Sequence, residues 1–324
     1  MSVSNHPGCI LCGHHCRVDR NSGHIGRCGA ETKLGFSAAL IHHGEEPPLS
    51  GYSPEGGSGT IFFTRCNLTC AFCQNWQISQ SGGQGIDIDE GRLVELMFQL
   101  AENGAHNINL VSPTPYAVEI ARALSSAKKA GLNIPVVYNT GGYDSMAALA
   151  MLDGLVEVYL PDAKIGLEAA MDPAEPDSRA MRLFGAGDYV RLNRAALLEM
   201  KRQVGHLLLD GQGLAARGLM VRHLVLPDDL ARTSALLPWL AENIGPELHL
   251  SLMAQYHPAN RIKVGDNPEF RDMLGLGRPL SIREYEQCVN LAWSLGLTNT
   301  YVQDLESATM MRPDFSKPGP KIFN

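Results

Sequence analysis

Six short runs of apolar, largely β-branched residues recur along the chain, at 59–64, 106–112, 134–139, 155–162, 219–227 and 248–254. Hydrophobicity that is near-continuous rather than alternating marks strands buried on both faces of a parallel sheet. Between them, residues 89–104, 116–131 and 232–245 repeat apolar positions every three to four residues, the period of an amphipathic helix. Strands alternating with helices argue for a parallel sheet with helical crossovers. Six units are too few to close a standard barrel. The pattern therefore predicts an α/β fold, an open partial (β/α)6 barrel over 51–305, with 299–303 as a last short strand. Residues 1–50 are rich in Cys and Gly and show no clear period, which predicts a small separate module and linker stabilised by a metal. Residues 306–324 read as a C-terminal tail.

Composition narrows the partners. The 324 residues carry 27 Lys and Arg against 34 Asp and Glu, a formal charge of 27 − 34 = −7, and no basic run that would track a phosphate backbone. Nucleic acid is excluded as the expected partner. No apolar run approaches the roughly 20 residues that a membrane span needs, and no charged-then-apolar leader opens the chain. The expectation is a cytoplasmic protein without a membrane partner.

Cysteine spacing changes the picture more. The eight cysteines fall as Cys9, Cys12, Cys16 and Cys28, then Cys66, Cys70 and Cys73, then Cys288 alone. Disulfides staple small secreted domains, whereas tight spacings of this kind point to metals or clusters. The first set is a complete four-thiolate site by count, suited to zinc or to an auxiliary iron–sulfur cluster. The histidines near it, His14, His15 and His24, read as solvated. Cys288 shares a helical stripe with Tyr285, Val289 and Ala292 and reads as a packed residue.

In parallel α/β folds, ligands bind at the carboxyl ends of the strands. The residues that follow each run are the three-cysteine loop, then "SPTP" with Ser112, Pro113 and Thr114, then Asn139, then Asp162 and Lys164. The fifth run carries Arg222 and His223. Singly, each has an ordinary structural explanation; together they form a polar rim. Glu45 and Glu46 of "GEEP" could reach that rim from the linker. A C-x3-C-x2-C loop supplies three thiolates to a [4Fe-4S] cluster and leaves the fourth iron without a protein ligand. An iron left open in this way can bind the amino and carboxylate groups of a methionine moiety.

At these residues the sequence resembles the radical S-adenosylmethionine superfamily, whose signature C-x3-C-x-aromatic-C is matched by Cys66, Cys70, Phe72 and Cys73. It is similar, further, to pyruvate formate-lyase activating enzymes and related glycyl-radical-enzyme activases, through "CQNW", the D-x-K of Asp162 and Lys164, and "VRHLVLP". The resemblance spans about Gly57 to Tyr256. It departs where the usual Gly-Gly-Glu after the second strand is replaced by "SPTP", and where the extra cysteines precede the motif rather than follow it. The resemblance implies a partial barrel of the radical S-adenosylmethionine (SAM) type. Cys66, Cys70 and Cys73 would be the catalytic cluster ligands. Phe72, Gln74, Asn75, Ser112, Pro113, Thr114, Asn139, Asp162, Lys164, Arg222 and His223 would lie round the cofactor.

The implied activity is reductive cleavage of SAM to a 5'-deoxyadenosyl radical that abstracts hydrogen. The leading implied substrate is a glycine on a glycyl radical enzyme or another protein, with flavodoxin or ferredoxin as the electron donor. Radical modification of a small molecule or a different peptide is the alternative. A non-catalytic iron–sulfur redox sensor is an alternative of another class; a sensor would not need the polar rim.

Overall fold

The computed structural model describes residues 8–52, 55–80, 85–262, 267–305, 313–317 and 322–323. Most of the expected tail 306–324, and residues 1–7 of the expected module, lie outside the described residues. Ten strands form one sheet: β1 (Leu34–His42), β2 (Ser58–Phe63), β3 (Ile86–Ile88), β4 (Asn107–Val111), β5 (Val136–Thr140), β6 (Val158–Pro161), β7 (Leu208–Leu209), β8 (Ala215–Leu224), β9 (His249–Met253) and β10 (Thr300–Val302). The order is β10-β9-β8-β6-β5-β4-β2-β1-β3, with β7 beside β8. The path from β2 to β10 is parallel throughout. The two ends of the order do not pair, so the barrel is open and of the partial kind that the patterning predicts.

Helices α3 (Glu90–Glu102), α4 (Ala117–Lys129), α5 (Met146–Leu152), α7 (Tyr189–Val204) and α8 (Thr233–Asn243) lie in the crossovers, with α9 (Ile282–Ser294) before β10. Shorter helices are α1 (Pro47–Ser50), α2 (Trp76–Ser79) and α6 (Ser178–Phe184). Side-chain caps start several of them: the Asp89 carboxylate accepts from Arg92 N, Ser145 from Ala148 N, and Ser281 and Glu284 form a reciprocal capping box.

Successive strand residues point to opposite faces, and both faces here are apolar. Ile61, Ile108, Leu110, Tyr138, Tyr159 and Val221 pack under the helices with Leu93, Met97, Ile120 and Leu237. Val137, Val158, Leu160 and Met220 face the lumen, where Leu49 of α1 is wholly buried among them. The stretch 43–50 is thus folded into the barrel. Its "GEEPPLS" sequence supplies a Pro-fixed turn whose Leu49 carbonyl accepts from Asn107 Nδ2 at 2.8 Å.

One element was not foreseen. Residues 34–42, inside the expected N-terminal module, form β1, which runs antiparallel along β2 from Phe36↔Phe63 to His42↔Ser58. It covers an edge strand that would otherwise expose unpaired backbone groups. Upstream of it, the elements in residues 8–33 are turns, the short helix Arg20–Ser22 and an isolated bridge from Cys12 to Asp144. Among the described residues, no helix is long and apolar enough to cross a membrane.

Candidate functional site

At the carboxyl ends of the parallel strands lies a cavity of about 260 Å³. Its walls bring together Cys66, Cys70 and Cys73 with Phe72, Gln74 and Asn75 from the loop after β2. Ser112 comes from the end of β4, Asn139 from β5, Asp162 and Lys164 from beyond β6, and Arg222 from β8. Eleven of the fourteen residues expected at the catalytic and cofactor rim therefore share one space.

The cysteine loop is held from several sides. Thr69 N and Ala71 N donate to Phe184 O and Leu183 O at 2.9 and 2.8 Å. Cys70 O accepts from Gln80 Nε2 at 3.0 Å and Asn260 Nδ2 at 3.2 Å, and Arg261 N donates to Ala71 O at 3.0 Å. Phe72 sets its ring edge-on to Phe184 and Tyr256. Burial pushes the Cys70 thiol up to about 12 and raises Cys66 and Cys73 as well.

Among the described residues, no three His, Cys, Asp or Glu side chains converge closely enough to hold a single metal ion. The loop nevertheless fits a cluster by its donor set, because three thiolates that bind three different irons stand farther apart than the ligands of one ion. The backbone N–H of Leu68 donates to Cys66 Sγ at 3.4 Å, and Ser79 Oγ lies 3.4 Å from Cys73 Sγ, contacts of the kind that tune cluster sulfurs. Cys9, Cys12, Cys16 and Cys28 form no such group as they stand.

Lys164 Nζ donates to Asp162 Oδ2 at 2.5 Å. Burial opposes the ammonium charge, but the Asp162 carboxylate overrides it and holds Lys164 well above its ordinary value. Behind the pair, Tyr189 OH donates toward Gly141 O and Asp162 O, and Asn193 Nδ2 donates to Gly142 O and Asp162 O. Gly142 has φ of +73°, and a Cβ there would stand 2.2 Å from Asp162 O, so this close approach requires glycine.

Three expected rim residues do not line the cavity. His223 is fully buried, with Nδ1 against Ala163 O at 2.6 Å and Nε2 against Thr233 Oγ1 at 2.8 Å. Burial pushes its pKa down to about 4, so it is neutral near pH 7. Thr114 opens a 3-10 turn, and its hydroxyl donates to Asp144 Oδ1 at 2.8 Å. Pro113 is buried beside it. Asp144, absent from the sequence reading, also accepts from Thr140 Oγ1 at 2.6 Å and Tyr138 OH at 3.1 Å. Burial raises its carboxyl above the ordinary range.

Glu45 and Glu46 enter the cavity wall from the turn before α1. Arg222 bonds both of them: Nε to Glu46 Oε1 at 2.7 Å, Nη2 to Glu46 Oε2 at 2.5 Å, and Nη2 also to Glu45. Burial works against the Glu45 charge, but Arg222 outweighs it and holds the carboxyl at about 2. His42 Nδ1 lies 3.3 Å from Glu45 Oε1, and its ring stacks on Phe323 with centroids 4.1 Å apart.

Residues 60–186 match the Radical SAM superfamily. The matched span includes Cys66, Cys70 and Cys73 and the Asp162 and Lys164 pair. An uncharacterized protein of Methanocaldococcus jannaschii is 29% identical over 302 residues, covering 90% of this chain and 76% of that protein. Among solved structures, Streptococcus suis SuiB bound to precursor peptide SuiA aligns with a TM-score of 0.46 at 13% identity, over 75% of this chain and 48% of that one. Native anSMEcpe with bound AdoMet aligns at 0.43 and 10%, over 75% and 59%. The chain spans less than two thirds of the length of either solved structure.

Proposed function

We propose that this protein cleaves SAM reductively and uses the resulting radical to remove hydrogen from a substrate held in the same cavity. The observation that carries this is the meeting of Cys66, Cys70 and Cys73 with the Asp162 and Lys164 pair around one space. A [4Fe-4S] cluster bound by these thiolates would supply the single electron, taken from an external reductant, that reductive cleavage of the SAM C5'–S bond to methionine and a 5'-deoxyadenosyl radical requires. The cysteine loop would hold three irons. Lys164, kept charged by Asp162, would meet an anionic group of SAM. Gln74, Asn75, Ser112 and Asn139 would offer hydrogen-bonding groups to its remaining polar atoms. Phe72 and the apolar cavity wall would exclude water from the radical.

The finer reading rests on the resemblance of "CQNW", Asp162-Ala163-Lys164 and "VRHLVLP". It is that the hydrogen comes from the backbone Cα of a glycine on a partner enzyme, with flavodoxin or ferredoxin as the reductant. The N-terminal cysteines would hold zinc or a second cluster in the reducing cytoplasm, where thiols stay free.

The test is anaerobic reconstitution with iron and sulfide, reduction with dithionite, and assay for 5'-deoxyadenosine. Wild type makes it and Cys70→Ala does not. Iron-loaded wild type that binds SAM without ever cleaving it, with or without a candidate glycyl radical enzyme, contradicts the proposal.

A further inference from the structure

The cysteine loop has two ends, and the structure holds them by different means. The Cys70 end is bonded to the body of the barrel through Gln80, Asn260 and Arg261. The Cys66 end is bonded to the N-terminal Cys-rich segment. His14 Nε2 donates to Asn67 O at 2.8 Å, one residue from Cys66. Asn67 is 3% exposed; its Nδ2 donates to Tyr143 O at 3.1 Å, and its Oδ1 lies 3.7 Å from Cys66 Sγ.

Tyr143 is the shared post. Gly13 N donates to the same Tyr143 carbonyl at 3.3 Å, and the His14 ring sits edge-on to the Tyr143 ring with centroids 5.0 Å apart. Cys12 pairs with Asp144 in an antiparallel bridge, and Ser145 N donates to Leu11 O at 3.1 Å. The backbone of 11–14 is thus laid along 143–145. A Cβ at position 13 would stand 2.3 Å from atoms of both Tyr143 and Leu192, so only glycine permits the approach.

We propose that His14 and Asn67 are positioning residues for Cys66: the N-terminal segment is a bracket that fixes one of the three cluster ligands, acting through the Asn67 backbone. The inference rests on the reading of Cys66, Cys70 and Cys73 as cluster ligands. It gives His14 a role other than that of a solvated histidine. It also makes Cys12 and Cys16, which flank His14 in the chain, a means by which the state of the N-terminal cysteines reaches the cluster loop.

The test works on the metal-free protein, so its failure is distinct from failure of the radical reading. His14→Phe keeps an aromatic ring for Tyr143 and removes the N–H donor; His14→Gln keeps a donor. Alkylation of each cysteine by iodoacetamide is followed by mass spectrometry, with circular dichroism to verify folding. A lost hydrogen bond is worth about 1 kcal/mol. Loop opening at Cys66 therefore rises about fivefold in His14→Phe, while Cys70 is unchanged and His14→Gln keeps the wild-type ratio. In the reconstituted protein, His14→Phe also shifts the electron paramagnetic resonance spectrum of the reduced cluster. An unchanged Cys66 to Cys70 ratio in folded His14→Phe, or an equal rise at both cysteines, overturns the proposal.

Discussion

Arg222 grips Glu46 side-on, Nε to Oε1 at 2.7 Å and Nη2 to Oε2 at 2.5 Å, across 176 residues of chain. The fork ties the turn before α1 to β8 inside the barrel, with Glu45 bonded to the same guanidinium. Removing one partner of a buried ion pair leaves the others without compensation. Arg222→Ala therefore destabilises the fold by about 3 kcal/mol in denaturant unfolding, and Arg222→Lys recovers only part of this because an ammonium cannot fork. Glu45, held at about 2 against an ordinary 4.5, contributes stability above pH 4.5 that is lost as the pH falls toward 2. An Arg222→Ala protein as stable as wild type contradicts the assignment.

His223 titrates in the same direction through a different window. Its folded value of about 4 lies below its ordinary 6.5, so between those values the unfolded chain binds the extra proton. Stability is fully present above pH 6.5 and falls on acidification, by up to about 3 kcal/mol at pH 4. His223→Gln flattens that part of the profile. If wild type and variant keep parallel profiles from pH 7 to 4, His223 is not the buried neutral residue described.

Lys164→Ala separates cofactor binding from cluster binding. The variant keeps its iron, since none of the three cysteines depends on Lys164 for a hydrogen bond in the structure. SAM affinity, measured by anaerobic equilibrium dialysis, falls at least tenfold, the loss expected of one charge-assisted contact. Equal loss of iron and SAM would make the residue structural.

Gly142→Ala tests the rim behind the pair. Its φ of +73° and the contact with Asp162 O leave no room for a methyl group. The expected result is a loss of at least about 1 kcal/mol in stability together with weaker SAM binding; a neutral substitution contradicts the close packing.

The parallel strands were legible because a strand buried on both faces shows as a dense apolar run, as in "GTIFFT" and "IPVVYN". β1 was not, because "LGFSAALIH" mixes small and polar positions, is only half buried along much of its length, and follows a Cys- and Gly-rich stretch. The cysteine loop and Asp162 with Lys164 could be read from spacing. Arg222 and His223 could have been separated: adjacent strand residues point to opposite faces, so only one of the two could reach the lumen. Glu45 and Glu46 could be suspected but not placed, since their partner lies on β8 and no local pattern encodes that contact. Asp144 and the His14 bond to Asn67 are likewise tertiary facts, visible only once β5 and the N-terminal segment are brought together.

The measurement that tests the central claim most directly is electron paramagnetic resonance of the reduced, iron-reconstituted protein before and after addition of SAM, in wild type and in Cys70→Ala. The account predicts a [4Fe-4S] signal in wild type that changes when SAM binds at the iron left open by Cys66, Cys70 and Cys73, and loss of that signal in the variant. A wild-type cluster signal indifferent to SAM, or one that survives in Cys70→Ala unaltered, would contradict it.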